Sequence, residues 1–227
     1  MNSLKGWIGE LKTGFNLWLS LNGKTYRRFH NVIIPGNNGT SQIDHLIVSK
    51  FGLFIIETKN MKGWIFGDES QQRWTQTFIY EKYAFQNPLR QIYRQKRVLA
   101  EFLNIDQSKI HEVVYFVGDC TFKTEMPDNV LNSGLGRYIR EFREPILSNS
   151  LSDRIQDRLH HHKTSSRLTG RDHIRSLRNR HSSTTICPRC WSELVERVAR
   201  NGPNAGSIFL GCSNYPACRF TKNTWFL

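Results

Sequence analysis

Between Gln42 and Lys59 the chain has two arms dense in β-branched and aromatic residues, 43–48 and 53–56, around Ser49-Lys50-Phe51-Gly52. This pattern predicts two strands and a tight turn, because such side chains fit a pleated surface and Gly suits the turn. With a two-residue loop between Ser49 and Gly52, Val48 pairs with Leu53, Leu46 with Ile55 and Asp44 with Glu57. Opposed residues of an antiparallel pair share a face, with Cβ atoms about 4.5–5.5 Å apart. Lys59 lies two residues past Glu57 and falls on that face too. Two carboxylates and an ammonium thus meet at one end of an apolar hairpin.

The same patterning places the remaining elements. Trp7, Ile8, Leu11, Phe15, Trp18 and Leu19 recur at helical spacing, which predicts an amphipathic helix over 4–21, with Glu10 beside its stripe and Asn22-Gly23 at its end. Residues 26–34 read as a strand, and Pro35-Gly36-Asn37-Asn38-Gly39 as the loop into the hairpin. Residues 63–67 and 73–80 read as strands extending the sheet, with their aromatics assigned to the core. Asn87-Pro88 opens a helix, with Asn as cap and Pro at its first position. Leu89, Ile92, Tyr93, Leu99, Phe102 and Leu103 form its buried side, and Arg90, Arg94, Lys96 and Arg97 its wet side. Residues 113–117 are a continuous apolar run, as in a strand buried on both faces. Leu135, Tyr138, Ile139 and Phe142 mark a last helix before this domain ends near Ser148. Helices bracketing a mixed sheet make this an α/β or α+β domain.

Facing carboxylates at a partly buried sheet end repel, and a hard divalent cation between Asp44 and Glu57 relieves that repulsion. Mg²⁺ or Mn²⁺ there polarises a phosphodiester and supplies the attacking water, while Lys59 offsets developing charge. Gln91, early in the helix after Asn87-Pro88, can reach the same place. The competing reading is a solvated strand end at which Asp44 pairs with Lys59 and nothing reacts.

Charge narrows the partners. A net charge of +13 over 227 residues favours a polyanion, whether nucleic acid or an anionic surface. Residues 149–183 are rich in Ser, His and Arg, include His160-His161-His162, and read as a basic linker with some helix near 151–159. No run approaches the roughly 18 apolar residues of a bilayer crossing, and no secretory pattern opens the chain, so a cytoplasmic protein without membrane contact is expected.

Cysteine usage gives the second chemical signal. Cys187-Pro188-Arg189-Cys190 is followed after 21 residues by Cys212 and after five more by Cys218. Four thiolates satisfy tetrahedral Zn²⁺ and leave no open position for water, so this zinc is structural. A segment of about 40 residues needs such a staple. Cys120 has no ligand-spaced companion and reads as a small buried residue.

Two resemblances follow from these residues. Gly9-Glu10, Gln42-Ile43-Asp44-His45, Gly52-Leu53-Phe54, Ile56-Glu57-Thr58-Lys59-Asn60, Gly63, Trp74 and Asn87-Pro88-Leu89-Arg90-Gln91, in that order over roughly residues 5–105, resemble the nuclease-related domain, NERD, a branch of the PD-(D/E)XK nuclease superfamily. The resemblance implies a restriction-endonuclease-like mixed sheet flanked by helices, with Glu10, Asp44 and Glu57 as the acidic set. It makes Lys59 the catalytic lysine and Gln91 a helix-borne polar partner. The superfamily's Pro-Asp is replaced by Ile43-Asp44, so the likeness is to NERD and not to a generic nuclease. The segment from Cys187 through Ser207-Ile208-Phe209-Leu210-Gly211-Cys212 to Arg219-Phe220-Thr221 resembles the C4 zinc finger of bacterial type IA topoisomerases, which implies DNA binding, preferably single-stranded. Trp191, Phe209, Tyr215, Phe220 and Trp225 among Arg189, Arg197, Arg200, Arg219 and Lys222 suit base stacking with phosphate contact.

The expected organisation is a nuclease-like domain over 1–148, a basic linker over 149–183 and a zinc-ribbon-like finger over 184–227. The expected activity is metal-dependent hydrolysis of DNA phosphodiesters. A noncatalytic nucleic-acid-binding protein is the alternative.

Overall fold

A computed structural model of the chain describes residues 13, 20–36, 39–188, 192–216 and 218–223. The chain divides into two compact units, one of Met1–Ile34 with Ser41–Arg167 and one of Pro35–Thr40 with Leu168–Leu227.

Among the described residues, the larger unit is built on a five-stranded mixed sheet of order β1-β2-β3-β7-β9. The strands are β1 (Arg27–Gly36), β2 (Gly39–Ser49), β3 (Gly52–Asn60), β7 (Ile110–Val117) and β9 (Val130–Leu131). The β2–β3 hairpin has the register its pattern predicts, with Val48 opposite Leu53 and Leu46 opposite Ile55. Its turn is held by Ser49, whose hydroxyl accepts from the Phe51 amide (3.2 Å) and donates to the Gly52 carbonyl (3.1 Å). Gly52 sits at φ +120°, and a Cβ there would meet the His111 ring at 2.8 Å, so the turn requires glycine.

β7 pairs in parallel with β3 along its length, which buries both strands at the sheet's centre. Helix α1 (Pro88–Leu103) packs against β3 and β7, and begins as the sequence predicts, with Asn87 Oδ1 accepting from the Leu89 amide at 2.9 Å. Helix α2 (Leu135–Glu141) contributes Leu135 and Ile139 to a core with Ile47, Phe54, Ile56 and Val113. The chain is therefore a mixed α/β fold with helices flanking mixed sheets.

Between β3 and α1 the chain builds part of a second sheet, of order β6-β5-β4-β8, from β4 (Gly63–Phe66), β5 (Arg73–Phe78), β6 (Glu81–Gln86) and β8 (Cys120–Phe122). Trp74 anchors it by stacking on Phe116 of β7, ring centroids 6.2 Å apart. Trp74 is core, as the sequence reading holds, but Trp64, Phe78 and Tyr80 are exposed. Strand alternation sends half of each strand's residues away from the core, and aromatic content alone does not say which half.

Residues 149–183 are not irregular. They form helix α3 (Asn149–Ser165), capped by Ser148, and helix α4 (Gly170–Ser182), opened by a capping box of Thr169 and Asp172. In the larger unit, α3 buries Ile155 and Leu159, and its His162 Nε2 lies 2.8 Å from the Ile33 carbonyl. In the smaller unit, α4 holds Thr40. Arg180 donates to the Thr40 carbonyl (2.7 Å), and the Thr40 amide donates to Ser176 Oγ (2.8 Å).

The rest of the smaller unit is a three-stranded antiparallel sheet of β10 (Leu194–Val198), β11 (Ile208–Cys212) and β12 (Thr221–Asn223), in that order. Lys222 ties it to the end of α4 by donating to the Ser182 carbonyl at 2.7 Å. Among the described residues, no helix is long and apolar enough to cross a membrane.

Candidate active site and zinc centre

Glu57 is the centre of the sheet-end cluster. It is 3% exposed, and a carboxylate so buried needs donors on both oxygens. Lys59 Nζ stands 2.6 Å from Oε1, two residues on along the same face of β3. Gln91 Nε2 donates to Oε1 at 2.7 Å, and its own Oε1 accepts from Lys59 Nζ at 3.0 Å. Gln95, one helical turn further along α1, donates to Glu57 Oε2 at 2.8 Å. Lys59, Glu57 and Gln91 form a closed triangle of charge-assisted hydrogen bonds, stronger than neutral ones and strengthened by burial.

Asp44 lies on β2, two residues before Leu46. The paired ladder reaches His45 opposite Ile56, and beyond it the Asp44 carboxylate takes over, its Oδ2 accepting from the Thr58 amide at 3.1 Å. Alternation along both strands assigns Asp44 to the face of Leu46, Ile55 and Glu57. The structure therefore brings together Glu57, Lys59 and Gln91 and places Asp44 on the neighbouring strand. Glu10 lies outside the described residues.

Two residues of α1 join the cluster that the sequence reading leaves out. Gln95 is buried, and Arg94, assigned to the wet side, carries a charge that Glu57 attracts; burial pulls its guanidinium below the usual range while Glu57 acts in the opposite sense. The visible signal for Gln95 is its spacing, four residues after Gln91 and so on the same helix face. Tyr93, placed on the buried side by its ring, is exposed.

Asp44 and Glu57 offer carboxylate oxygens on one face, which suit hard Mg²⁺ or Mn²⁺ rather than a thiophilic metal. On the opposite face of β2, His45 Nδ1 lies 2.7 Å from His30 Nδ1. Burial and the neighbouring His30 hold the His45 pKa down to about 3.

In the smaller unit, Cys187, Cys212 and Cys218 are buried with Sγ atoms within 4.8 Å of one another. Cys190, the fourth expected ligand, lies outside the described residues. The Cys187 and Cys218 sulfurs are 3.8 Å apart. That is far beyond the roughly 2.05 Å of a disulfide, and equals the edge of about 3.8 Å that Zn–S bonds of about 2.3 Å give a tetrahedron. The cluster fits a structural zinc of ribbon type. Leu194, Leu210 and Phe220 complete its small core. Beside it a groove of about 750 Å³ is lined by Arg197, Arg200, Phe209, Tyr215 and Arg219. The Arg197 guanidinium stands 5.6 Å from the Tyr215 ring centroid. Arg189, Trp191 and Trp225 are outside the described residues.

Residues 5–117 match the family model for the nuclease-related domain, and residues 184–224 match that for the topoisomerase DNA-binding C4 zinc finger. An uncharacterised protein of Bacillus anthracis is 38% identical over 120 residues, covering 52% of this chain and 56% of its own. The uncharacterised protein YrdD of Escherichia coli is 50% identical over 36 residues, 16% of this chain and 17% of its own. DNA topoisomerase 1 of Mycoplasmoides gallisepticum is 47% identical over 38 residues, 17% of this chain and 5% of its own. The chain thus spans about half the length of the Bacillus relative and far less of the other two. No solved structure matches it.

Proposed function

The chain carries a nuclease-related domain and a topoisomerase-type C4 zinc finger, and from that premise we propose a divalent-metal-dependent deoxyribonuclease whose finger holds DNA, with single strands preferred. The observation that carries this reading is the buried Glu57 carboxylate bound at once by Lys59 and Gln91, with Asp44 on the adjacent strand. An ammonium fixed this firmly by the Glu57 carboxylate and the Gln91 amide oxygen is organised before any substrate arrives, and such preorganisation stabilises developing charge.

Asp44 and Glu57 would hold Mg²⁺ or Mn²⁺, with Glu10 the third acidic candidate; when bound, the ion supplies Lewis acidity toward the phosphodiester and activates water. Lys59 offsets the charge that grows on the phosphoryl oxygens. Gln91 fixes the Lys59 ammonium by accepting from it and fixes Glu57 by donating to it. Gln95 keeps the second Glu57 oxygen in place. The Thr58 amide does the same for Asp44.

A second reading rests on the same network. Three donors, Lys59, Gln91 and Gln95, already satisfy both oxygens of Glu57, as in a domain that binds nucleic acid without cutting it. Purified protein incubated with single- and double-stranded DNA plus Mg²⁺ or Mn²⁺, beside Asp44→Ala and Lys59→Ala, separates the two. The nuclease reading expects cleavage that falls at least about 100-fold in each variant. Cleavage unchanged in both, or none in wild type, overturns it.

A further inference from the structure

The β5–β6 hairpin carries large side chains that no core uses. Five of the six residues of β6 are exposed, and the two-residue loop after Phe78 is Ile79-Tyr80. Tyr80 is 98% exposed, Ile79 72%, Tyr83 52% and Phe78 45%. Ile79 also sits at φ +54°, a left-handed conformation that a β-branched residue adopts only at a cost. Hairpin turns of this length ordinarily place Asn, Asp or Gly there. An apolar tip and a disfavoured backbone therefore coincide at one solvent-facing point, which marks a surface kept for a partner.

The pairing sorts the side chains by face. Phe78 and Tyr83 stand on one face of the hairpin, and the Tyr83 hydroxyl donates to Glu81. Lys82 and, through Thr77, Trp64 stand on the other. Lys123 Nζ lies 4.7 Å from the Trp64 ring centroid, so this second face joins an exposed ring to two cations. Rings at the tip with ammonium groups behind them complement a strand that offers base faces and phosphates in alternation. The hairpin is also continuous with the candidate site. β3 runs into β4 through Met61-Lys62 after Lys59, and β6 runs into α1 through Asn87, four residues before Gln91.

We propose that the β5–β6 hairpin is a stacking wedge for unpaired bases of a single DNA strand, with Tyr80 and Phe78 taking bases and Lys82 and Lys123 the neighbouring phosphates. The wedge rests on the part of the proposed function that assigns DNA as the partner, and is independent of cleavage.

The test uses the full chain carrying Asp44→Ala, so that binding is read without cutting. A single-stranded oligonucleotide with 2-aminopurine at one position reports affinity and base stacking together. Adding Tyr80→Ala is expected to weaken binding about tenfold, the effect of losing one stacked base, and to reduce 2-aminopurine quenching. Tyr80→Trp restores both, whereas Tyr80→Leu, of similar apolarity, does not. A blunt duplex binds equally to all four proteins. Unchanged affinity and quenching in Tyr80→Ala overturn the wedge. So does a loss that appears only in anionic-vesicle binding or in self-association by sedimentation. Absence of DNA cleavage by the Asp44-intact protein refutes the nuclease and leaves the binding result standing.

Discussion

Replacing Lys59 by Met removes the ammonium from Glu57 while keeping most of the side-chain volume. Taking one partner from a fully buried ion pair costs about 3–5 kcal/mol, because the other charge is stranded. Here the Lys59 side chain keeps 19% exposure and Gln91 and Gln95 still donate to Glu57, so the loss is smaller. About 2 kcal/mol is expected, in line with leaving a charged group short of one hydrogen bond. With a urea m-value of about 2 kcal/mol/M, the unfolding midpoint falls by about 1 M. Urea titration of the full chain, followed by circular dichroism, measures it. Glu57→Gln, made alone and with Lys59→Met, closes a double-mutant cycle in which the double variant costs less than the two singles added. A midpoint within about 0.2 M of wild type for Lys59→Met, or strictly additive losses in the cycle, refutes a buried and coupled Lys59–Glu57 pair.

Further outcomes are expected elsewhere. Gln95→Leu strips the donor from Glu57 Oε2 and lowers stability by about 1–3 kcal/mol in the same titration; no loss would show that Glu57 finds water there instead. Because the folded His45 pKa of about 3 lies below the ordinary histidine value, the unfolded chain binds the extra proton. Stability from this ring is complete above pH of about 6.5 and declines by about 1.4 kcal/mol per pH unit towards pH 3. Urea unfolding at pH 7 and pH 5 should therefore show a shallower decline in His45→Gln, and equal declines would contradict the burial of the ring. Cys212→Ser is expected to release zinc and unfold β10–β12 without altering the larger unit, measured by metal content and by two-stage melting. Wild-type protein that carries no zinc would remove the basis for that loss.

The hairpin at the centre of the larger unit is legible in the sequence because a period of two, a glycine turn and a dense apolar run all demand the same register. Lys59 is legible for the same reason, its spacing on β3 fixing its face, whereas Gln91 read alone is a surface residue and joins the site only through the resemblance to the nuclease-related domain. Gln95 is not legible, because helix faces are read from apolar residues and a buried amide breaks that rule. Its burial is caused by Glu57, which lies across the interface and is invisible to a helical wheel. Residues 149–183 read as a linker in the sequence for a related reason. Only Ile155 and Leu159 form the stripe of α3, while Arg180 of α4 turns inward to a carbonyl 140 residues earlier. The capping box of Thr169 and Asp172 was the available clue. At Trp64 and the β5–β6 tip, strand-forming rings read as core in the sequence because propensity reports a fit to a sheet and is silent on which side meets solvent.

Thr40 is bound by residues 133 to 140 positions later in the chain. Closing a loop of that length costs about 4 kcal/mol of chain entropy before any contact rewards it. The β2–β3 hairpin, whose partners are neighbours in sequence, has no such delay. A ribosome will therefore have released most of the larger unit long before α4 emerges to bind Thr40, and that contact is among the last events of folding.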